Sequence, residues 1–393
     1  MSGTYRIAFI GTRGVPAGEG GVERHVEELG ARLAERGHDV TVYCRTNYVQ
    51  GRPPTYRGMH LRYVPSVGTK NLDFIAHSAA SSVLVLRRPP DIVHFHAIGS
   101  ALVAPLPRYL SRSKIVLTVH GLDYARAKWS GVGRAALKVA EGFSARVPDA
   151  TIAVSRALAD HYATKLGRKA DYIPNGMPEG NIRPLGPIGA RLGLDGHPYF
   201  LFVGRLVPEK APDLIVRALA QLTGDVRLVI AGSSGFTDAY ADSIRRLAAS
   251  DPRAILAGGV FGAELSELYS NAAAFVLPSS LEGLPMTLLE AIAHRAPVIV
   301  SDIPPHLEVV GGDGAGHHVV AQGSVDALAA AMAAVLQHSS REREGAETLS
   351  GRVAQQYSWE AITAATEQVY ARLLEPTASK LTTQDSSGSE LSV

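Results

Sequence analysis

Glu282 and Glu290 stand eight positions apart in the segment SLEGLPMTLLEA, a spacing that lets two carboxylates grip one ligand at two points. Gly283 can take backbone conformations that other residues avoid, and Pro285 suits the first position of a helix because it has no N–H to lose. A helix is therefore expected from about Pro285, with Glu282 on the loop before it. Four residues rise ~6 Å along a helix, so Glu290 points into the same cleft from one turn further in. The unpaired N–H groups of Met286, Thr287 and Leu288 would face outward between them, and such a helix start attracts phosphate. Two carboxylates flanking an anion site suit a ligand with hydroxyls on both sides of a phosphate, such as a nucleotide-sugar.

Cations complete that picture. In FLFVGRLVPEKAPDLIVRAL, Arg205 falls just past a strand and Lys210 opens the next helical region, so both can converge on a diphosphate. A leaving nucleoside diphosphate gains negative charge as its bond to the sugar breaks, and cations placed there stabilise the transition state more than the ground state. Two solvated surface charges would be the ordinary reading of an Arg and a Lys. The segment GTRGVPAGEGGVERHVEEL brings Gly18, Gly20 and Gly21 directly before a helix whose first turn holds Glu23. It fails as a dinucleotide fingerprint, which needs glycine at position 23, and reads as a glycine-rich diphosphate loop of another kind; a β–α loop with no ligand is the plain alternative.

His120 ends the run KIVLTVH, where a histidine can reach a sugar hydroxyl or a reaction centre. His94 and His96 alternate on DIVHFHA and so face one side of their strand. They read as a packed or substrate-lining pair rather than metal ligands, because no third ligand with metal spacing is evident. No D-x-D occurs in the sequence, so the carboxylate-pair magnesium site is unsupported and no metal or other cofactor is expected.

These residues need elements to position them. Short apolar runs (RIAFIG, DVTVYC, DIVHFH, KIVLTVH, TIAVS) alternate with helical segments such as VERHVEELGARLAERG and ALADHYATKLG, the pattern of βαβ units on a parallel sheet. After the Pro/Gly-rich stretch PNGMPEGNIRPLGPIG the theme restarts with YFLFVG, DVRLVIAG, AAAFVLP and APVIVS. The expected fold is α/β: two doubly wound, Rossmann-like parallel-sheet domains, residues 1–180 and 181–357, facing each other across a cleft. A helix over 358–375 would cross back to the first domain, and residues 376–393, almost without apolar side chains, should be disordered. Open parallel sheets bind ligands beyond the carboxyl ends of their strands, and every motif above falls at such an end.

Composition narrows the class without naming it. The chain has 393 residues, 46% of them hydrophobic, enough for more than one core. Its single cysteine, Cys44, excludes an internal disulfide and a cysteine-rich zinc site, making a reducing cytoplasm the expected compartment. No start-of-chain signal peptide is evident, and no apolar run approaches the ~20 residues of a membrane helix. Net charge is only +2, yet residues 1–180 hold 24 Lys and Arg against 14 Asp and Glu, while residues 181–393 hold 15 against 23. The densest basic stretch, YARAKWSGVGRAALKVA, sets Arg126, Lys128, Arg134 and Lys138 around Trp129 and is a candidate for peripheral contact with an anionic membrane; the apolar face of that helix could equally be core. A nucleic-acid partner is not expected.

GEGGVE, VHGLD, VGRLVPEK and the Glu282–Glu290 window, in that order, resemble the retaining glycosyltransferases of family 4, which have the two-domain GT-B fold. The resemblance runs from Met1 to about Glu375 and is nearest to bacterial members that build surface polysaccharides, some described as rhamnosyl- or mannosyltransferases. It implies a UDP- or GDP-sugar donor and a hydroxyl acceptor in a glycan or glycolipid, with the leaving phosphate taking the acceptor's proton. It further implies that Arg205 and Lys210 bind the donor diphosphate, Glu290 the ribose and Glu282 the transferred sugar. Gly283, Leu284 and the amides of Thr287 and Leu288 would line the donor site, Gly20 and Gly21 would close over the distal phosphate, and His120 would touch the sugar near its reacting carbon. Val260 matches the position that holds the base through main-chain groups; Glu23 and Asp123 are the candidate acceptor-binding residues. Two departures stand out: Ala211 replaces the glycine that usually follows the lysine, and Pro285 replaces a small or flexible residue. A GT-B sugar-nucleotide epimerase and a non-catalytic sugar-nucleotide-binding protein remain alternatives.

Overall fold

The computed structural model describes residues 3–18, 20–49, 51–65, 73–122, 131–233 and 238–375. The expected disordered tail, Asp123 and the Arg126–Lys128–Trp129 part of the basic stretch lie outside them. Runs such as RIAFI and YFLFV, apolar on both faces, become strands with buried side chains on each side. The first sheet contains β1 (Arg6–Ile10), β2 (Asp39–Arg45), β3 (Thr55–Tyr56), β4 (Met59–Val64), β5 (Ile92–His96), β6 (Lys114–Val119), β7 (Ala150–Ala153) and β8 (Asp171–Tyr172), in the order β3-β4-β2-β1-β5-β6-β7-β8. The second contains β9 (Tyr199–Val203), β10 (Arg227–Ala231), β11 (Ala254–Gly258), β12 (Ala274–Leu277), β13 (Val298–Ser301) and β14 (His317–Val320), in the order β11-β10-β9-β12-β13-β14. All pairings are parallel except β3 with β4.

Five of these strands escape the sequence reading. β3 and β8 are two residues long, and in the β11 run AILAG two alanines and a glycine dilute the strand preference of Ile255. β4 carries the alternating pattern of a half-buried strand. β14 begins with two histidines and is recognisable only by its pairing to β13.

Strand order reverses between β1 and β5 in one sheet and between β9 and β12 in the other, and crevices open at the carboxyl ends of both reversals. The helix Trp359–Leu374 returns to the first domain and packs on the Gly21–Glu35 helix. Its buried Trp359, Ile362, Val369 and Tyr370 supply the apolar contact, and Arg36 bridges to Glu360 and Glu367. No helix among the described residues is long and apolar enough to cross a membrane.

Candidate active site

The two loops at the β9/β12 reversal are tied together before any ligand arrives. The Ser280 N–H donates to the Glu209 carbonyl at 2.8 Å, so the loop after β12 hangs on the turn Pro208–Lys210 that follows β9. That tie sets the central contact: Lys210 Nζ lies 2.6 Å from Glu282 Oε1, and Ser279 Oγ donates to the same oxygen at 2.8 Å. Burial pushes the Glu282 carboxyl up, but the Lys210 ammonium and these hydrogen bonds outweigh it and hold the group below the usual glutamate range. Glu282 is thus a carboxylate at neutral pH. Ala211, which stands where a glycine was expected, takes a left-handed conformation (φ 49°), the conformation that explains the glycine.

Glu290 behaves in the opposite way. Burial raises its carboxyl, opposed in part by the Arg24 charge across the cleft and by the Tyr269 hydroxyl, which donates at 3.2 Å. The helix that carries it runs Met286–Ala293, so Pro285 caps the helix rather than opening its first turn. The amide of Leu288 is not available for a phosphate as expected, because it donates to the Pro285 carbonyl at 3.2 Å and the Leu288 side chain is fully buried. Thr287 lies on the cavity wall, with a buried hydroxyl that has no partner among the described residues.

The first domain closes the site from the other side. Gly20 has φ 121°, and a Cβ there would come within 2.1 Å of Glu23 Oε2, so the turn into the Gly21–Glu35 helix needs glycine. Glu23 is directed into this loop rather than into the cleft: it is buried, and its carboxylate accepts from Arg13 N, Nε and Nη2. An acceptor contact for Glu23 therefore loses its geometric basis. The strand register sets His94 beside Val116 and His96 beside Thr118, so the alternation of side chains carries His120 to the same side as both. His96 Nδ1 lies 3.2 Å from His120 Nε2, and His94 is buried between the Tyr370 hydroxyl (2.6 Å) and Thr118 Oγ1 (2.7 Å).

His25, one turn into the first helix, joins this group. Burial holds its pKa at about 4, against a smaller upward pull from Asn175, so the ring is neutral. One nitrogen each of His25, His96 and His120 lie within 4.8 Å of one another, a convergence invisible in their spacing along the chain. Nδ1 of His25 is engaged by Asn175 Oδ1 at 2.9 Å, and the amide of the same Asn175 donates to the Leu284 carbonyl in the donor loop, also at 2.9 Å.

One cavity of about 260 Å³ gathers these parts from both domains: Gly20, Gly21 and His120 on one side, Arg205, Lys210, Val260 and the Glu282–Glu290 window on the other. Gly283 marks a close approach of the two sides, since a Cβ there would stand 1.9 Å from the His120 carbonyl oxygen. Arg24 and Asn175 also line the cavity and were missed in the sequence. Arg24 had a usable signal in its position directly after GGVE, and Asn175 had only a polar side chain within the Pro/Gly-rich joint.

Comparison with known proteins bears on this geometry domain by domain. The model of Glycosyltransferase Family 4 matches residues 19–179, and that of Glycosyl transferases group 1 matches residues 190–350. This chain is a family 4 glycosyltransferase. Its relatives include the alpha-maltose-1-phosphate synthase of Mycobacterium tuberculosis, 29% identical and covering 94% of this chain and 99% of the relative. Another is the GDP-mannose-dependent alpha-(1-6)-phosphatidylinositol monomannoside mannosyltransferase of the same organism, 28% identical over 91% of this chain and 96% of the relative. Among solved structures, sucrose-phosphate synthase from Thermosynechococcus elongatus superposes with a TM-score of 0.79 at 23% identity, covering 94% of this chain and 98% of that one, which fixes the GT-B fold of the glycosyltransferase.

Proposed function

We propose that this glycosyltransferase moves a sugar from a UDP- or GDP-sugar to a hydroxyl of a bacterial surface glycan or glycolipid. The transfer takes place in the cytoplasm, with retention at the anomeric carbon and without a metal. The observation that carries the reading is the Lys210–Glu282 pair at a helix start, with Arg205 on the same loop and His120 facing it across one cavity. A donor diphosphate entering beside Lys210 brings the negative charge that this cation is placed to meet, and Glu282 is left as an acceptor for sugar hydroxyls. The bond between the anomeric carbon and the phosphate oxygen breaks, the bond to the acceptor oxygen forms on the same face, and the acceptor's proton passes to the leaving phosphate. Glu290, with Tyr269 behind it, is suited to the ribose hydroxyls.

Glu282 and Glu290 are pushed apart in pKa, as in a hydrolase acid/base pair, but the lowered member is locked to a lysine and both share their cavity with Arg205 and Lys210, a setting suited to a diphosphate rather than to a glycosidic bond alone. An epimerase would release an altered sugar with no acceptor, and a binding protein would hold donor without turnover. The test begins with a thermal-shift panel of UDP-, GDP-, ADP- and dTDP-sugars, since a bound donor raises stability by mass action. Proton NMR of the product made from the stabilising donor then reads the anomeric configuration. An inverted product sinks the retaining mechanism, and loss of turnover after dialysis against a chelator, restored by a divalent cation, sinks metal independence.

A further inference from the structure

The helices Asp73–Val85, Pro105–Leu110 and Gly131–Arg146 each lead from one strand to another further along the first sheet in the same direction, β4 to β5, β5 to β6 and β6 to β7, and right-handed crossovers put all three on one face. The first packs on the second and on the turn Ile98–Leu102, which in turn packs on the third. Tyr109 and Leu110 are 73% and 65% exposed, and Val83, Val139 and Phe143 also stand in solvent. On the Gly131–Arg146 helix the buried residues Ala140, Glu141 and Ser144 define the inner side, while two exposed i,i+4 pairs flank it, Arg134 with Lys138 and Val139 with Phe143.

Charge on this face is predominantly positive. Arg87, Arg88 and Arg112 are exposed where the first two helices end, and Arg134, Lys138 and Arg146 on the third. Among the described residues of these helices the carboxylates are Asp73 and Glu141, both buried, one paired to Arg45 and the other to His161. At the strand starts beside these helices Asp91 pairs with Arg6 and Asp149 with Arg108, which leaves the face with an excess of cations, and a core-facing surface would not be basic.

We propose that this three-helix face docks the enzyme on an anionic lipid surface. Basic side chains meet the headgroups while Tyr109, Leu110, Val139 and Phe143 enter the interface between headgroups and acyl chains. A second copy of the chain fits less well, because a two-fold contact would press the same cations against each other. Nucleic acid would match the charge but leaves the exposed aliphatic side chains in water. The site is wider than the basic stretch read from the sequence and stands mostly on Val83, Tyr109, Leu110 and Phe143, which that reading did not include.

The test is co-sedimentation of the full chain with vesicles of phosphatidylcholine, with and without phosphatidylglycerol. Binding is expected only with the anionic lipid, weakening as salt is raised because exposed charges are screened. Tyr109→Ser with Leu110→Ser, and separately Arg134→Glu with Lys138→Glu, should each weaken binding by about tenfold or more. Circular dichroism and turnover of soluble donor serve as controls for folding, since none of these residues touches the cavity. Equal binding to neutral vesicles, binding indifferent to both double substitutions, or no binding at all overturns the proposal. So does a dimer in sedimentation velocity, or a complex with duplex DNA, that the same substitutions abolish in place of vesicle binding. Glycosyl transfer is read from product and stands or falls separately.

Discussion

Lys210 shows how a structure changes the meaning of a residue whose role was already suspected. As a solitary cation on a loop, it could be replaced with little consequence for folding; as the partner of a buried Glu282 it cannot. Lys210→Ala should lower kcat/KM by about 10²–10³, the scale on which one preorganised charge supports a transition state. It should also destabilise the protein by about 3 kcal/mol, because a buried carboxylate loses its counter-charge. Pairing it with Glu282→Gln should recover most of the stability in urea denaturation and none of the activity. Activity close to that of the unsubstituted enzyme in the single variant removes Lys210 from the diphosphate role. Glu290→Ala has a different signature: an interaction made equally in ground and transition states raises donor KM with kcat nearly unchanged. An unaltered donor KM shows that Glu290 does not hold the ribose.

At the scale of elements, the site is made by loops that meet across the two domains rather than by any one of them. Gly283 is the point where the donor loop passes under the His120 carbonyl with no room for a methyl group, and Gly20 is where the opposing loop turns into its helix. Gly283→Ala should push the donor loop and the end of β6 apart, costing about 1–3 kcal/mol of stability and reducing kcat more than KM. Full activity with unchanged urea midpoint would mean that the loops are free to separate without loss. The helix start at Met286 was legible because Pro285 and the apolar spacing after it are local signals. The fate of the Leu288 amide was not, since it depends on how the Pro285 carbonyl turns at the cap. Glu23 was misread for a similar reason: its neighbours in sequence suggest a ligand loop, and only the fold shows Arg13 waiting behind it.

Across the whole molecule, burial of histidines couples stability to pH. Burial lowers His25, His77 and His306 each to about 4 from an ordinary value of 6.5, so the unfolded chain binds their protons first as pH falls. Their contribution to stability is fully present above 6.5 and is lost progressively as pH falls from there toward 4, with a slope of up to about one proton per histidine. Urea unfolding at a series of pH values measures that slope, and His77→Gln, remote from the cavity, should reduce it by about one proton. A flat profile through this range contradicts neutral burial of these rings.

The sequence by itself determined the two parallel-sheet domains, the crossing C-terminal helix and the family, because apolar periodicity, capping residues and strand-end motifs are written in neighbouring positions. It also pointed to Arg205, Lys210, Glu282 and Glu290, which line one cavity from the turn after β9 and from the loop and helix after β12. The tertiary structure alone decided which charges neutralise one another, which of His25, His96 and His120 converge, that Arg24 and Asn175 face the cavity, and which helix faces are left bare. Those facts depend on contacts between residues 70 to 150 positions apart, such as Lys210 with Glu282 and His25 with Asn175. Their energy comes from distance and burial, and neither quantity exists until the sheets have folded and the two domains have met.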